Sequence, residues 1–374
     1  MADNCDQQRK PTGLRPWQAT VWTGMRFLPW WRLLRRNRFD VAPLRIPRAC
    51  TITVLSLANS YTSLLQSALY GRRIAATPIE PAPLFVLGHW RTGTTLLHEL
   101  LAADERNVCP TALECFAPEH FLILRYVTPM LRFLLPAHRP TDNMNMGWRR
   151  PQEEEFALSL MGHPSAYETI AFPNRQPRQF QHVVLDDLTP AQLADRGRAY
   201  MRFLRTVLCR RPGRLVLKSP PNTCRVEYLS SMFPEARYVY LVRDPRVVIP
   251  STIRLWRSLY YSLGMQQPDY EFLEDHIFER FVLLHERFER SRPLIPEHRL
   301  LELSFEALIQ DPLAQVRKLY DHLELGKFDV AEPAVRQYVD SIADYQMGRY
   351  TVSDRLAEMI DRKLGSYIRQ HGYE

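Results

Sequence analysis

Leu84-Phe-Val-Leu87 runs directly into Gly88-His-Trp-Arg-Thr-Gly-Thr-Thr95, and from Thr95 the chain continues Leu-Leu-His-Glu-Leu-Leu101. A short apolar run, a glycine-rich turn and a segment of helical period predict strand, loop and helix in that order. Gly88 and Gly93 form the G-x-x-x-x-G frame of a phosphate loop. Inward-pointing backbone N–H groups and the N-terminus of the following helix give such a loop its affinity for phosphate. Nucleotide hydrolases continue the frame with lysine, whereas Thr94 and Thr95 follow here and the basic residue is Arg91, inside the loop. Support for a β/γ-phosphate is therefore poor. A single 5′-phosphate bearing a transferable group fits better.

Similar apolar runs recur at Leu215–Leu217, Tyr238–Val242 and Arg299–Leu303, the first two followed by a turn and a helical pattern. The alternation predicts an α/β fold: a P-loop-type, mostly parallel sheet flanked by helices, with an added helical region at the N-terminus. Ligands of such sheets bind at the carboxyl ends of the strands, where the motifs of interest all fall. The Pro-rich stretch Thr77–Pro83 marks a boundary. The expected divisions are 1–80 (helical, amphipathic), 81–330 (the α/β core) and 331–374 (a C-terminal lid and terminal helix).

A second anion site is expected at Tyr240-Leu-Val-Arg-Asp-Pro-Arg-Val-Val-Ile-Pro-Ser251. Asp244 can cap a helix that begins at Pro245, with Arg243 at the strand end and Ser251 about two turns in. Alone, the segment reads equally well as a capped helix with a structural arginine. Beside Arg91–Thr95 it offers a place for a second phosphate on the same nucleotide.

On these two motifs the chain resembles the sulfotransferases that use 3′-phosphoadenosine 5′-phosphosulfate (PAPS). Arg91, Thr92, Gly93, Thr94 and Thr95 match that family's R-[ST]-G-T-T loop for the 5′-phosphosulfate, and Arg243 and Ser251 match its 3′-phosphate site in residue and spacing. The resemblance extends through Lys218-Ser-Pro-Pro221, Ser304–Pro312 and the terminal Gly372-Tyr-Glu374, over roughly residues 84–374. It is nearest to the branch that includes tyrosylprotein sulfotransferases and many bacterial members. It implies PAPS as co-substrate, 3′,5′-bisphosphoadenosine as product and no metal. It further implies a closing segment at Tyr345–Tyr350, in which Arg349 would contact the 3′-phosphate. The family's usual tyrosine in Y-E-x-L is Phe305 here, so any hydroxyl contact from that position is lost.

Sulfuryl transfer, like phosphoryl transfer, depends on in-line positioning and on charge stabilisation at the moving group. Lys218 ends a strand and matches the family's catalytic lysine; with Arg91 it is assigned to the sulfonate and the leaving oxygen. His89, inside the loop, can touch the nucleotide. For the base that takes the acceptor proton, relatives place a glutamate some twenty to thirty residues beyond the loop, and Glu114 in Pro110–Pro118 is the first choice. Next come Glu154 and Glu155 in Glu153-Glu-Glu155, three acids read as the first turn of a helix started by Pro151. Acids there also satisfy the helix dipole, and successive positions face different ways. His120 and His163 are weaker candidates, a lone histidine being more often structural.

The 49 Lys+Arg against 41 Asp+Glu give a net charge of +8, carried mostly by arginine. An anionic nucleotide or membrane surface suits that excess; nucleic acid does not, since the basic residues are dispersed rather than striped. Six scattered cysteines lack metal-ligand or disulfide spacing, and neither a leader nor a membrane span is visible, so a reducing cytoplasmic location is the expectation. Residues 17–36 place Trp17, Val21, Met25, Leu28, Trp31 and Leu34 at helical spacing between arginines, with a bend at Pro29. Such a helix either lies on a membrane as a peripheral contact or packs on the protein itself. Thr51–Tyr70 reads as a further helix. Phe121–Leu135, Asp142–Trp148, Gly162–Tyr167 and Leu255–Tyr261 are read as bordering a small-molecule or lipid acceptor. Two rivals stand beside the sulfotransferase: an ATP- or GTP-dependent kinase, which would want lysine at position 94, and an inactive nucleotide- or lipid-binding scaffold.

Overall fold

The protein is described by a computed structural model that covers residues 20–126, 147–175, 182–343 and 352–373. Five parallel strands form one sheet: β1 (Leu84–Leu87), β2 (Asn107–Val108), β3 (Arg214–Leu217), β4 (Arg237–Val242) and β5 (Leu300–Ser304), in the order β2-β3-β1-β4-β5. All four residues of β1 are fully buried, because a central parallel strand is covered on both faces and must be apolar on both. Leu84 pairs with Val216 on one side and with Arg237 on the other. Strand β2 is only two residues long and half polar, so no run of the pattern announces it.

Around the sheet lie fifteen α-helices among the described residues. On the N-terminal side are α1 (Phe27–Arg36) and α2 (Ile46–Ala76). Between β1 and β3 come α3 (Thr94–Ala102), α4 (Ala112–Phe116), α5 (Phe121–Leu124), α6 (Glu154–Leu160), α7 (Glu168–Ala171) and α8 (Pro190–Arg210). Next in sequence are α9 (Val226–Met232), α10 (Pro245–Leu263) and α11 (Leu273–Ser291). The chain closes with α12 (Phe305–Gln310), α13 (Pro312–His322), α14 (Glu332–Ser341) and α15 (Asp354–Gln370).

Among the described residues, elements near both ends of the chain share the core. Val21, Trp22, Trp30 and Ile52 join the same apolar cluster as Phe85 and Leu217, and so do Ile360, Leu364 and Tyr367 from α15. The helix expected over 17–36, with its bend at Pro29, is within the described residues a 3₁₀ turn, Val21–Gly24, followed by α1. Proline causes no bend there, because Pro29 falls in the first turn of α1, where a missing N–H costs nothing. Trp22 and Trp30 are fully buried and tied by their indole N–H groups to Leu263 O and Thr53 Oγ1, both at 2.9 Å. Packing on the protein, rather than lipid, accounts for these two tryptophans. Trp17 lies outside the described residues.

Candidate functional site

The loop after β1 carries the backbone that a phosphate cradle needs. Arg91 has φ +71° and Gly93 φ +97°, and Gly93 is the N-cap of α3. Two left-handed residues so close together turn the chain sharply enough to aim the N–H groups entering α3 into one concavity. Gly93 could hold nothing larger: a Cβ there would fall 2.2 Å from Phe305 Cδ2. Two further ties fix the loop, Thr92 Oγ1 donating to His89 O at 2.8 Å and Gly88 N donating to Thr223 Oγ1 at 2.8 Å.

Arg243, Ser251 and Arg91 converge beside the loop. Asp244 Oδ1 accepts from Arg246 N at 2.8 Å and starts α10, which places Ser251 within reach of the loop. Arg91 Nε donates to Ser251 Oγ at 2.8 Å, and Arg243 Nη1 donates to Arg91 O at 3.0 Å. Phe305 packs its ring 3.9 Å from the Arg243 guanidinium. The position that lacks the usual hydroxyl therefore holds the arginine by its aromatic face. Arg91 thus reaches the Ser251 side of the site. Arg349 lies outside the described residues.

Lys218, at the end of β3, is nearly buried. Its ammonium donates to Glu153 Oε1 at 2.6 Å and lies 3.5 Å from Thr95 Oγ1. The other Glu153 oxygen accepts from the Tyr167 hydroxyl, which in turn accepts from Trp90 Nε1 at 3.3 Å. Lysine, carboxylate and phenol thus form one chain at the mouth of the phosphate loop. Phe156 and Phe116 continue the aromatic wall behind Tyr167, with ring centroids 4.6 and 5.6 Å apart along the series.

The four acids considered on sequence have four different fates. The helix begins at Glu154 and not at Pro151, so Glu153 is its N-cap and points elsewhere than its neighbours. Glu154 is buried; its Oε1 accepts from Asn222 Nδ2 at 2.6 Å, and burial above all pushes its carboxyl up. Glu155 is buried between Arg196 and Arg225, at 2.7 Å from each, and also accepts from Ser165 Oγ. Burial pushes its carboxyl up, but the two guanidiniums outweigh that and bring it down to about 2. Glu114 is fully buried as the third residue of a capping box: its Oε2 accepts from Thr111 N and Oγ1 at 2.7 and 2.9 Å, while Arg210 lies 3.2 Å from its Oε1. Its partners Thr111, Arg210 and Arg211 belong neither to the loop nor to the Arg243 and Lys218 positions.

Burial lowers the pKa of each of the three histidines considered on sequence. His89 donates from Nδ1 to Trp90 O at 2.9 Å, and burial lowers its pKa to about 3. His120 is likewise buried and lowered to about 4, and His163 is lowered by burial. Glu153 was visible on sequence only as one of three adjacent acids. What separates it is its position just outside the helix, and no feature of the side chain itself.

Residues 83–329 match the profile of the Sulfotransferase family. The chain is 42% identical over 360 residues to the omega-hydroxy-beta-dihydromenaquinone-9 sulfotransferases Stf3 of Mycobacterium bovis and Mycobacterium tuberculosis, covering 96% of this chain and 93% of each relative. Sulfotransferase STF9 from Mycobacterium avium has the same fold, with a TM-score of 0.68 at 18% identity over 93% of this chain and 96% of that one. Sulfotransferase STF1 from Mycobacterium tuberculosis superposes with a TM-score of 0.59 at 19% identity, covering 93% of both chains.

Proposed function

This chain belongs to the sulfotransferase family, and from that premise we propose that it moves a sulfuryl group from PAPS to the hydroxyl of a long, apolar lipid alcohol. The observation that carries the chemistry is the contact of Lys218 with both Glu153 and Thr95. It joins a cation, a carboxylate and the phosphate loop within hydrogen-bonding reach of one another.

The residues present suit a nucleotide with two anionic ends. The N–H groups around Gly93–Thr95 and the α3 N-terminus would receive the 5′-phosphosulfate, with His89 and Thr92 shaping the loop beneath. Arg243, Ser251 and Arg91 would hold the 3′-phosphate, with Arg349 as an additional contact from the C-terminal segment. PAPS supplies the activated sulfuryl group. Lys218 neutralises charge on the bridging oxygen as its bond to sulfur breaks, and Glu153 removes the proton of the acceptor hydroxyl as the new S–O bond forms. The products are a sulfate monoester and 3′,5′-bisphosphoadenosine.

Geometry favours Glu153 over Glu114, Glu154 and Glu155 as the base. Glu155 is locked between two arginines, Glu154 is bound by Asn222, and Glu114 serves its own helix cap. The lipid acceptor rests on the 42% identical relatives, whose name specifies a hydroxylated dihydromenaquinone. Support comes from the aromatic wall of Trp90, Tyr167 and Phe156 beside Glu153, which suits an apolar chain better than a sugar or peptide.

Transfer of labelled sulfate from PAPS to a hydroxylated isoprenoid quinone tests the whole scheme. Glu153→Gln is expected to lower turnover by about 10²–10⁴-fold while the thermal shift with 3′,5′-bisphosphoadenosine is retained. Full turnover in that variant would remove Glu153 from the base role. An active enzyme that sulfates only water-soluble alcohols would refute the acceptor class and leave the base assignment intact.

A further inference from the structure

Helix α2 is built inside out. It is 31 residues long, about 46 Å at 1.5 Å per residue. Its buried side includes Arg48, Ser56, Ser63 and Gln66, with only Ile52 and Ile74 as large apolar residues. The apolar residues are on the outside: Val54, Leu57, Tyr61, Leu64 and Leu69 are 54–71% exposed. Steps of three and four residues from Val54 through Leu57 and Tyr61 to Leu64 keep this stripe on one face of the helix, and Ile46, eight residues before Val54, falls on the same side. The polar interior has partners of its own, since Arg48 Nη1 donates to Ser262 O and Gln66 Oε1 accepts from Leu122 N. Internal packing therefore explains the buried face and leaves the exposed one without a structural purpose.

Neighbouring α1 extends the same surface. It packs along α2 and exposes Leu28 and Trp31 beside Arg32 and Arg35. Arg32, Arg35, Arg38 and Arg72 are exposed and form no ion pair among the described residues. Residues 20–79 hold nine arginines and one acid, Asp40, a net charge of +8. The whole chain, with 49 basic and 41 acidic residues, also nets +8. The rest of the protein is thus balanced in formal charge, and the excess sits in the segment that carries the two helices exposing the apolar stripe.

We propose that this face of α1 and α2 docks the enzyme on an anionic lipid bilayer, with the α2 stripe seated among the acyl chains and the arginines against the headgroups. Apolar area and anionic attraction are the two quantities that drive interfacial helices onto membranes. No helix among the described residues is long and apolar enough to cross one, so the contact lies along the surface. A second copy of the chain is disfavoured as the occupant, because a self-interface would press this +8 region against its own like. Docking here does not depend on which lipid alcohol is the acceptor.

Co-sedimentation of the full chain with vesicles decides the matter. Vesicles of equal parts phosphatidylglycerol and phosphatidylcholine should carry the protein down, and phosphatidylcholine alone should do so several-fold less. Leu57→Asn with Leu64→Asn should weaken partition about tenfold or more. Arg32→Gln with Arg35→Gln should weaken it about fivefold per charge at low salt and little at high salt. All four positions are exposed, so both variants should keep the wild-type melting temperature and the thermal shift with 3′,5′-bisphosphoadenosine. Failure of the wild type to sediment, or sedimentation indifferent to these substitutions, would overturn the assignment. So would a dimer in sedimentation velocity that the leucine variant dissolves, since the face would then belong to a second copy.

Discussion

Gly93 shows how one residue carries two constraints that reinforce each other. Its φ of +97° lies in the left-handed region, and its α-carbon faces the ring of Phe305 at a range that admits no side chain. The same ring supports Arg243, so loop and second anion site meet at a single phenylalanine. Gly93→Ala should cost about 1–3 kcal/mol for the backbone alone and displace Phe305 from Arg243. The expected result is loss of the thermal shift with 3′,5′-bisphosphoadenosine. Adding Phe305→Ala should relieve the contact but not the dihedral, so titration calorimetry should find binding only partly restored. Full affinity in the single variant would show that the ring yields freely.

Among the elements, α10 illustrates how far the sequence could be read. Asp244, Pro245 and the periodic residues behind them specify a cap, a first helical residue and a buried face, and the structure has each of them. Asp244→Ala should lower stability by about 1 kcal/mol in denaturant unfolding, and Asp244→Asn should recover most of it, because asparagine caps as well as aspartate. Equal losses in the two variants would mean that the charge matters more than the acceptor oxygen. The four longer strands were legible for the same reason as α10: each has an uninterrupted local pattern. Strand β2 was not, since two residues carry no period and its place is set by β3. Nor was Glu153 distinguishable from Glu154 and Glu155, because helix starts drift by a residue or two in any sequence reading and these acids differ only in that register. The inverted polarity of α2 was hidden for a related reason. Polar and apolar stripes give a helix the same period whichever of them faces the core.

At the scale of the molecule, Glu155 is a central tie. Through Arg196, Arg225 and Ser165 it joins α6, α8, the start of α9 and the turn before α7, and Arg225 reaches on to Val183 O and His182 O. Removing one partner of a buried ion pair strands the others, so Glu155→Gln should cost about 3–5 kcal/mol. The pH dependence has a definite sign. The folded carboxyl titrates at about 2 against 4.5 for the free group, so its stabilising effect is complete above pH 4.5 and lost as pH falls through about 2. The stability difference between wild type and Glu155→Gln should therefore be constant from pH 7 to 5 and shrink between 4.5 and 2, as urea titrations at each pH would report. A difference that held steady down to pH 2 would place the tie in shape rather than charge.

Strand β1 lies at the centre of the sheet, yet it is made first. Leu84 must wait for Val216 and Arg237, roughly 130 and 150 residues further on, before either edge is paired. At about 5–20 residues per second of synthesis, the cradle's own sequence leaves the ribosome several seconds to half a minute before the strands that give it shape. Helices α1 and α2 are complete by then, with their apolar stripe already presented. If the α2 face docks on lipid as proposed, arrival at a bilayer can precede the ability to bind a nucleotide, so that the order of synthesis would localise the protein before it could act.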